Sequence, residues 1–259
     1  MASEHKQQGN KYYSQGDYIN AIECYTKAIA LKNDDHTFFS NRAAAHFALG
    51  NFEQSIEDAR QCMIIAPNWV KGYYRAALSM KELLLFEEAS DVLQKGLRVE
   101  AGNRDLKTLQ VEITKELNAM KSKTRKGPDG KLLSPAASAK EEGNEQFKAG
   151  MHDVAIRWYT RAIVLSKEED REIKIASLSN RATCYAQHHN YKKVIEDTTR
   201  VLEMDPKHVK ALIRRGLAYE ATEKYKLGLE DMREAQAVSG GSPVISQAIS
   251  RLTHNVRYL

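Results

Sequence analysis

A 34-residue period constrains this chain more than any other feature. Gly16 and Gly50 each close an amphipathic, helix-like stretch, lie 34 residues apart, and are followed by Asp or Asn and a second such stretch. A frame beginning at Ala2 puts small residues at three fixed positions. The eighth position holds Gly9, Ala43 and Ala77, the twentieth Ala21, Ser55 and Ala89, and the twenty-seventh Ala28, Cys62 and Gly96. Pro67 falls at position 32 of the second unit, where a helix must stop. The frame returns at Ala136 with Gly143, Ala155 and Ala162. After five extra residues, Asp170 to Lys174, a fifth unit starts at Ile175 and reaches Pro206 at position 32. It fits less well, with Val194 and Val201 at positions 20 and 27. A sixth unit from Val209 carries Gly216, Gly228 and Ala235, so six units account for 204 of 259 residues.

Each unit reads as a helix–turn–helix in which small residues let two helices approach and tyrosines (Tyr12, Tyr25, Tyr159, Tyr185, Tyr219) fill the gaps. One such pair cannot bury its apolar face alone, so neighbours must stack into a superhelix with a concave inner surface. Composition agrees: 14 Gly and 5 Pro are too few for a many-stranded sandwich or barrel, and 42% hydrophobic residues can build a core. At about 150 residues per domain the length allows one large or two ordinary domains. A 34-residue helix-pair period resembles the tetratricopeptide repeat.

The expected fold is therefore all-α, two tandem superhelical arrays of three helix–turn–helix repeats, each closed by a capping helix. The first domain is expected at 1–120, with repeats 2–35, 36–69 and 70–103 and a cap at 104–120. A linker at 121–135 follows, rich in Lys, Arg, Gly and Pro. The second domain is expected at 136–259, with repeats 136–169, 175–208 and 209–242 and a cap at 243–259. Ser239-Gly-Gly-Ser242 reads as a helix stop.

The inner face of such an array comes mainly from the first helix of each repeat, so polar residues recurring there in both halves are the candidate site. The first half offers Lys6, Asn10, Asn41, Lys71 and Arg75, and the second Lys140, Asn144, Asn180, Lys210 and Arg214. The two sets occupy matching repeat positions, and the Lys–Asn and Lys–Arg pairs are spaced i,i+4, on one helix face. Three cations and two amides suit a compact dianion, such as a chain-terminal carboxylate beside an aspartate. Arg supplies a planar fork, Lys a point charge, and Asn a donor without charge. Several charge-assisted bonds, less the cost of association, lead to micromolar binding, about −8 kcal/mol.

The motifs Lys6-Gln-Gln-Gly-Asn10, Ser40-Asn41-Arg42 and Lys71-Gly-Tyr-Tyr-Arg75 carry a closer resemblance, as do Lys140-Glu-Glu-Gly-Asn144, Ser179-Asn180-Arg181 and Lys210-Ala-Leu-Ile-Arg214. They resemble the dicarboxylate clamp of tetratricopeptide co-chaperones, and all ten positions match. The first half is similar to the N-terminal clamp domain of the Hop/Sti1 family, and the second to domains of the Tom34/Spag1 group. The resemblance implies a non-catalytic, cytoplasmic adaptor that binds the C-terminal Glu-Glu-Val-Asp tails of heat-shock proteins 70 and 90. It leans toward the seventy-kilodalton partner for the first clamp and the ninety-kilodalton partner for the second. The alternative is a repeat scaffold that binds an unrelated protein or peptide.

Other functions find less support. A net charge of +5 does not demand nucleic acid, and the Lys121–Lys126 run reads as a solvated linker rather than a nuclear signal or nucleic-acid contact. Cys24, Cys62 and Cys184 form neither a disulfide framework nor a CxxC, and read as packing residues of a reducing compartment. His188-His189 lacks supporting ligands for a metal, and no phosphate loop or HExxH motif occurs, so no cofactor is expected. The first ten residues lack an apolar signal region, and no stretch approaches the ~18 apolar residues of a membrane span. Tyr73, Tyr74 and Phe38 are open between core and groove lining.

Overall fold

A computed structural model describes residues 1–121, 125–127, 130–240 and 242–257. These residues form two compact units, divided between residues 124 and 125. In the first unit, three helix pairs precede a long last helix. The pairs are α1 (Ala2–Ser14) with α2 (Tyr18–Leu31), α3 (His36–Ala48) with α4 (Phe52–Ile65), and α5 (Val70–Glu82) with α6 (Phe86–Val99), and α7 spans Arg104–Lys121. The second unit repeats the order. Its pairs are α8 (Pro135–Lys148) with α9 (His152–Leu165), α10 (Arg171–Gln187) with α11 (Tyr191–Met204), and α12 (Val209–Ala221) with α13 (Tyr225–Ser239), followed by α14 (Pro243–Arg257).

Local chemistry sets these boundaries. The Asp17 and Asp35 carboxylates accept the Asn20 and Thr37 amides at the starts of α2 and α3, and Ser134 caps α8 ahead of Pro135. The turn inside every pair passes through one left-handed residue at position 15 of the frame. Those residues are Gly16, Gly50, Leu84, Gly150, His189 and Glu223, with φ between 54° and 78°. Gly240, also left-handed, ends α13 as the stop signal expected there, while Gly241 lies outside the described residues.

Within each unit successive helices pack in sequence, and the first helices of adjacent repeats also touch: α1 with α3, α3 with α5, α8 with α10, and α10 with α12. First helices that approach one another across a stack line its inner side. The small residues at positions 8, 20 and 27 are buried where expected, and Val194 and Val201 of the less regular fifth unit are buried at the same positions.

Two boundaries differ from the sequence reading. The fifth repeat was expected to open at Ile175, but α10 begins at Arg171, behind a short 3-10 turn at Glu168–Asp170. The five extra residues are taken up mostly as an added turn of helix, and the Arg171 guanidinium donates to the Met204 carbonyl at the end of α11. The second difference lies in the stretch read as a solvated linker at 121–135. Lys121 still belongs to α7, and Pro135 already belongs to α8. Lys126 and Leu132 form an isolated antiparallel bridge, and the Leu133 amide donates to the Arg125 carbonyl. Arg125 reaches α8, pairing with Glu142 and, at 2.7 Å, with Glu145. Nearby carboxylates on α8 thus order the C-terminal part of this stretch. The remaining linker positions 122–124 and 128–129, and positions 258–259 of the expected cap, lie outside the described residues.

Candidate functional site

Each groove is built outward from a glycine. A Cβ on Gly9 would stand 2.6 Å from the Tyr25 ring, and one on Gly143 would stand 2.7 Å from the Tyr159 ring. Glycine at position 8 therefore lets the position-24 tyrosine lie against the first helix. Its hydroxyl then reaches the neighbouring position-9 residue: Tyr25 donates to Asn10 Oδ1 and Tyr159 to Asn144 Oδ1, both at 2.9 Å. The same oxygens accept from Asn41 Nδ2 and Asn180 Nδ2, both at 3.0 Å. Burial pushes the Tyr25 phenol up to about 12 against the pull of Arg75, and burial does the same for Tyr159. Both therefore remain donors at neutral pH.

The arginines are held alike. Arg75 Nε donates to Ser40 Oγ at 3.0 Å, and an Arg214 guanidinium nitrogen donates to Ser179 Oγ at 2.6 Å. Both serines are buried on the preceding first helix. Partial burial lowers the pKa of Arg75 and Arg214, yet a guanidinium stays protonated. Among the described residues, no carboxylate lies within ion-pair distance of Arg75, Arg214, Lys71 or Lys210. Lys71 stands over the Trp69 ring at 5.9 Å. A partly desolvated cation without a counter-charge is costly, and an incoming anion relieves that cost.

The sequence candidates are only partly brought into contact. Asn10 touches Asn41, and Asn144 touches Asn180. Lys71 and Arg75 line one cavity of ≈ 230 Å³ with Tyr74, Asn103, Asp105 and Leu106. Asn144, Asn180 and Arg214 line one of ≈ 220 Å³ with Phe147, Lys148, Tyr159 and Thr183. Lys6 donates to Thr37 Oγ1 at 2.7 Å, whereas Lys140 pairs with Glu141 at 3.0 Å. Lys210 is exposed at the start of α12. Of the aromatics left open, Phe38 and Tyr73 are buried, and Tyr74 lines the first cavity.

Sequence reasoning missed the supports. Tyr25 and Tyr159 read as packing residues and Ser40 and Ser179 as motif context, yet they orient the amides and arginines. Their signal was the pairing of Gly at position 8 with Tyr at position 24 in the first repeat of each half. His188 instead faces Asp153 at 3.4 Å, and no group of three metal-ligating side chains occurs among the described residues. The three cysteines are buried and unpaired, and burial raises the Cys62 and Cys184 thiols to about 11 and about 12. No helix among the described residues is long and apolar enough to cross a membrane.

Residues 9–58 match the TPR repeat family model. Over those residues, from α1 into α4, the chain carries the tetratricopeptide repeat. Among curated relatives, it is 38% identical over 263 residues to Hsp70-Hsp90 organizing protein 2 of Arabidopsis thaliana, covering 95% of this chain and 44% of that one. To Hsp70-Hsp90 organizing protein 1 of Glycine max it is 30% identical over 239 residues, covering 87% and 40%. The repeat chain thus spans about two-fifths of the length of these relatives. Among solved structures, the TPR2AB domain–pHSP90 complex of yeast Sti1 is 27% identical, with 98% of each chain covered and a TM-score of 0.44.

Proposed function

We propose that this chain is a non-catalytic, cytoplasmic co-chaperone adaptor whose two grooves clamp the C-terminal Glu-Glu-Val-Asp tails of heat-shock proteins 70 and 90. Lys6, Asn10, Asn41, Lys71 and Arg75 form one clamp, and Lys140, Asn144, Asn180, Lys210 and Arg214 form the other. The observation that carries this reading is the pair of half-buried arginines, Arg75 and Arg214. Each is held by a buried serine beside an oriented asparagine or a lysine, and among the described residues no carboxylate pairs with either. An anionic chain end supplies the missing charge. The relatives named as Hsp70-Hsp90 organizing proteins support the choice of ligand. We also propose that residues 1–120 and 136–259 fold as separate clamp domains, so that one adaptor can engage two tails.

The test is a titration with a Glu-Glu-Val-Asp peptide and its C-terminally amidated twin. The free acid is expected to bind in the micromolar range, about −8 kcal/mol, and the amide at least tenfold more weakly. Equal binding of the two, or none, overturns the clamp and leaves the scaffold reading. Lys71→Glu is expected to silence the first groove alone and Lys210→Glu the second alone.

A further inference from the structure

We propose that Glu141 is a resident occupant of the second groove, a built-in competitor that an incoming chain-terminal carboxylate must displace. The inference rests on the adaptor reading and concerns how its two clamps differ. Glu141 Oε1 lies 3.0 Å from Lys140 Nζ, and Glu141 Oε2 accepts from Asn144 Nδ2 at 3.1 Å. One oxygen on the lysine and the other on the asparagine is the bridge that a ligand carboxylate would make with the two donors α8 offers. Asn144 Oδ1 is taken by Tyr159 and Asn180, so Nδ2 is the part of the amide left for a ligand, and Glu141 holds one of its two N–H groups. Neighbouring residues on a helix ordinarily diverge, but the bond to Asn144 three residues on draws this carboxylate onto the groove face. Burial pushes the Glu141 carboxyl up, but the bonds from Lys140 and Asn144 outweigh it and hold the group ionised at neutral pH.

The first groove lacks this occupant. Gln7 stands at the matching position, and Lys6 donates to Thr37 instead. The two grooves therefore present the same five-residue pattern in different states. In the first the lysine is held by the Thr37 hydroxyl, while in the second it is held by a carboxylate that also takes the asparagine. Side-chain exposures of 24% for Lys140 and 44% for Glu141 leave the bridge within reach of water, so a dianion displaces it at modest cost. A ligand with a single carboxylate competes less well, which makes the second groove the more demanding reader of a doubly charged end.

The test uses the full chain, with one groove silenced at a time and tail binding followed by calorimetry. In the Lys71→Glu background, Glu141→Gln is expected to tighten binding of the Glu-Glu-Val-Asp peptide at the second groove by about two- to fivefold, the scale of an exposed ion pair. Glu141→Asp keeps the charge but falls one methylene short of bridging both donors, so it is expected to behave like Glu141→Gln. In the Lys210→Glu background, Gln7→Glu is expected to weaken the first groove by a similar factor. Unchanged affinity in Glu141→Gln with binding intact overturns this inference and leaves the adaptor reading standing. An aspartate variant indistinguishable from the parent also overturns it, since the effect would then be one of charge rather than occupancy. Failure of the peptide to bind the parent chain at either groove defeats the adaptor reading itself.

Discussion

The two units solve the same junction between repeats with different chemistry. In the second unit, Arg181 forks onto Asp197 at 2.7 and 2.8 Å and reaches back to Thr160 of the preceding repeat. Arg215 does the same with Asp231 and Thr199. Arginine stands at position 7, aspartate at position 23, and threonine at position 25 of the repeat before. The first unit has this clip once, as Arg42 with Asp58 and Thr26. Its third repeat puts Ala76 and Val92 at the two clip positions, where they pack with Ala43, Ala59 and Met63. That end of the unit is held by a larger apolar cluster, with Met80, Leu93, Leu106 and Ile113 all fully buried. A repeat junction thus tolerates either a forked ion pair or a plug of hydrocarbon, as long as both members of the pair change together.

The largest expected effect tests that rule. Arg181 and Asp197 side chains are only 2% and 3% exposed. Arg181→Ala leaves the buried aspartate without its forked partner, facing Arg200 at 4.0 Å, and is expected to cost the second unit about 3 kcal/mol in urea unfolding. The double change Arg181→Ala with Asp197→Val, which copies the third repeat, is expected to recover most of the loss. Arg42→Ala is expected to cost less, because that guanidinium is 20% exposed.

The groove supports offer a sharper comparison, because here the units agree. Tyr25→Phe and Tyr159→Phe each remove one bond to the orienting asparagine, at about 0.5–1.5 kcal/mol, and are expected to weaken tail binding two- to tenfold at their own groove. A large effect in one unit alone would break the equivalence. The left-handed turns come next. Exposed Glu223 holds φ at 59°, and Glu223→Gly is expected to stabilise the second unit by about 1 kcal/mol. Leu84→Gly in the first unit is expected to be near neutral, since Leu84 packs against the core and that contact would be lost.

The smallest effect concerns Arg125, whose bonds hold the Glu145 carboxyl below its ordinary range. A depressed carboxylate contributes above the ordinary glutamate range and loses its contribution as pH falls through the depressed value. Docking of Arg125 on α8 is therefore expected to loosen only under acid. Amide exchange at Leu133 should report that loosening.

The repeat frame made nearly every helix legible, because spacing between small residues is a one-dimensional signal. It did not mark the left-handed turns as such, which only Gly16, Gly50 and Gly150 betray by residue type. The arginine clips were periodic too, and Arg42, Arg181 and Arg215 could have been paired with Asp58, Asp197 and Asp231 from the frame alone. The bridge of Arg125 to α8 could not, because it joins a non-repeating segment to a helix surface. Neither could the extra turn of α10, since a five-residue insertion is consistent with a loop. At the grooves, the ten candidate positions could be read from the sequence. Glu141 differs from Gln7 by one charge, and only geometry shows that this charge meets both Lys140 and Asn144.

The doubly capped asparagines carry one last consequence. In water a primary amide gives and takes hydrogen bonds with equal ease. Asn10 and Asn144 have lost the second half of that ability, because two neighbours saturate the oxygen. Each is a rectifier for polarity: it passes a bond to an acceptor and refuses one from a donor. A chain end blocked as a carboxamide would bring its own N–H groups to an amide whose oxygen is already taken. In the proposed clamp, the tyrosine that fixes the amide thereby sets which chemical state of a ligand's last residue is accepted.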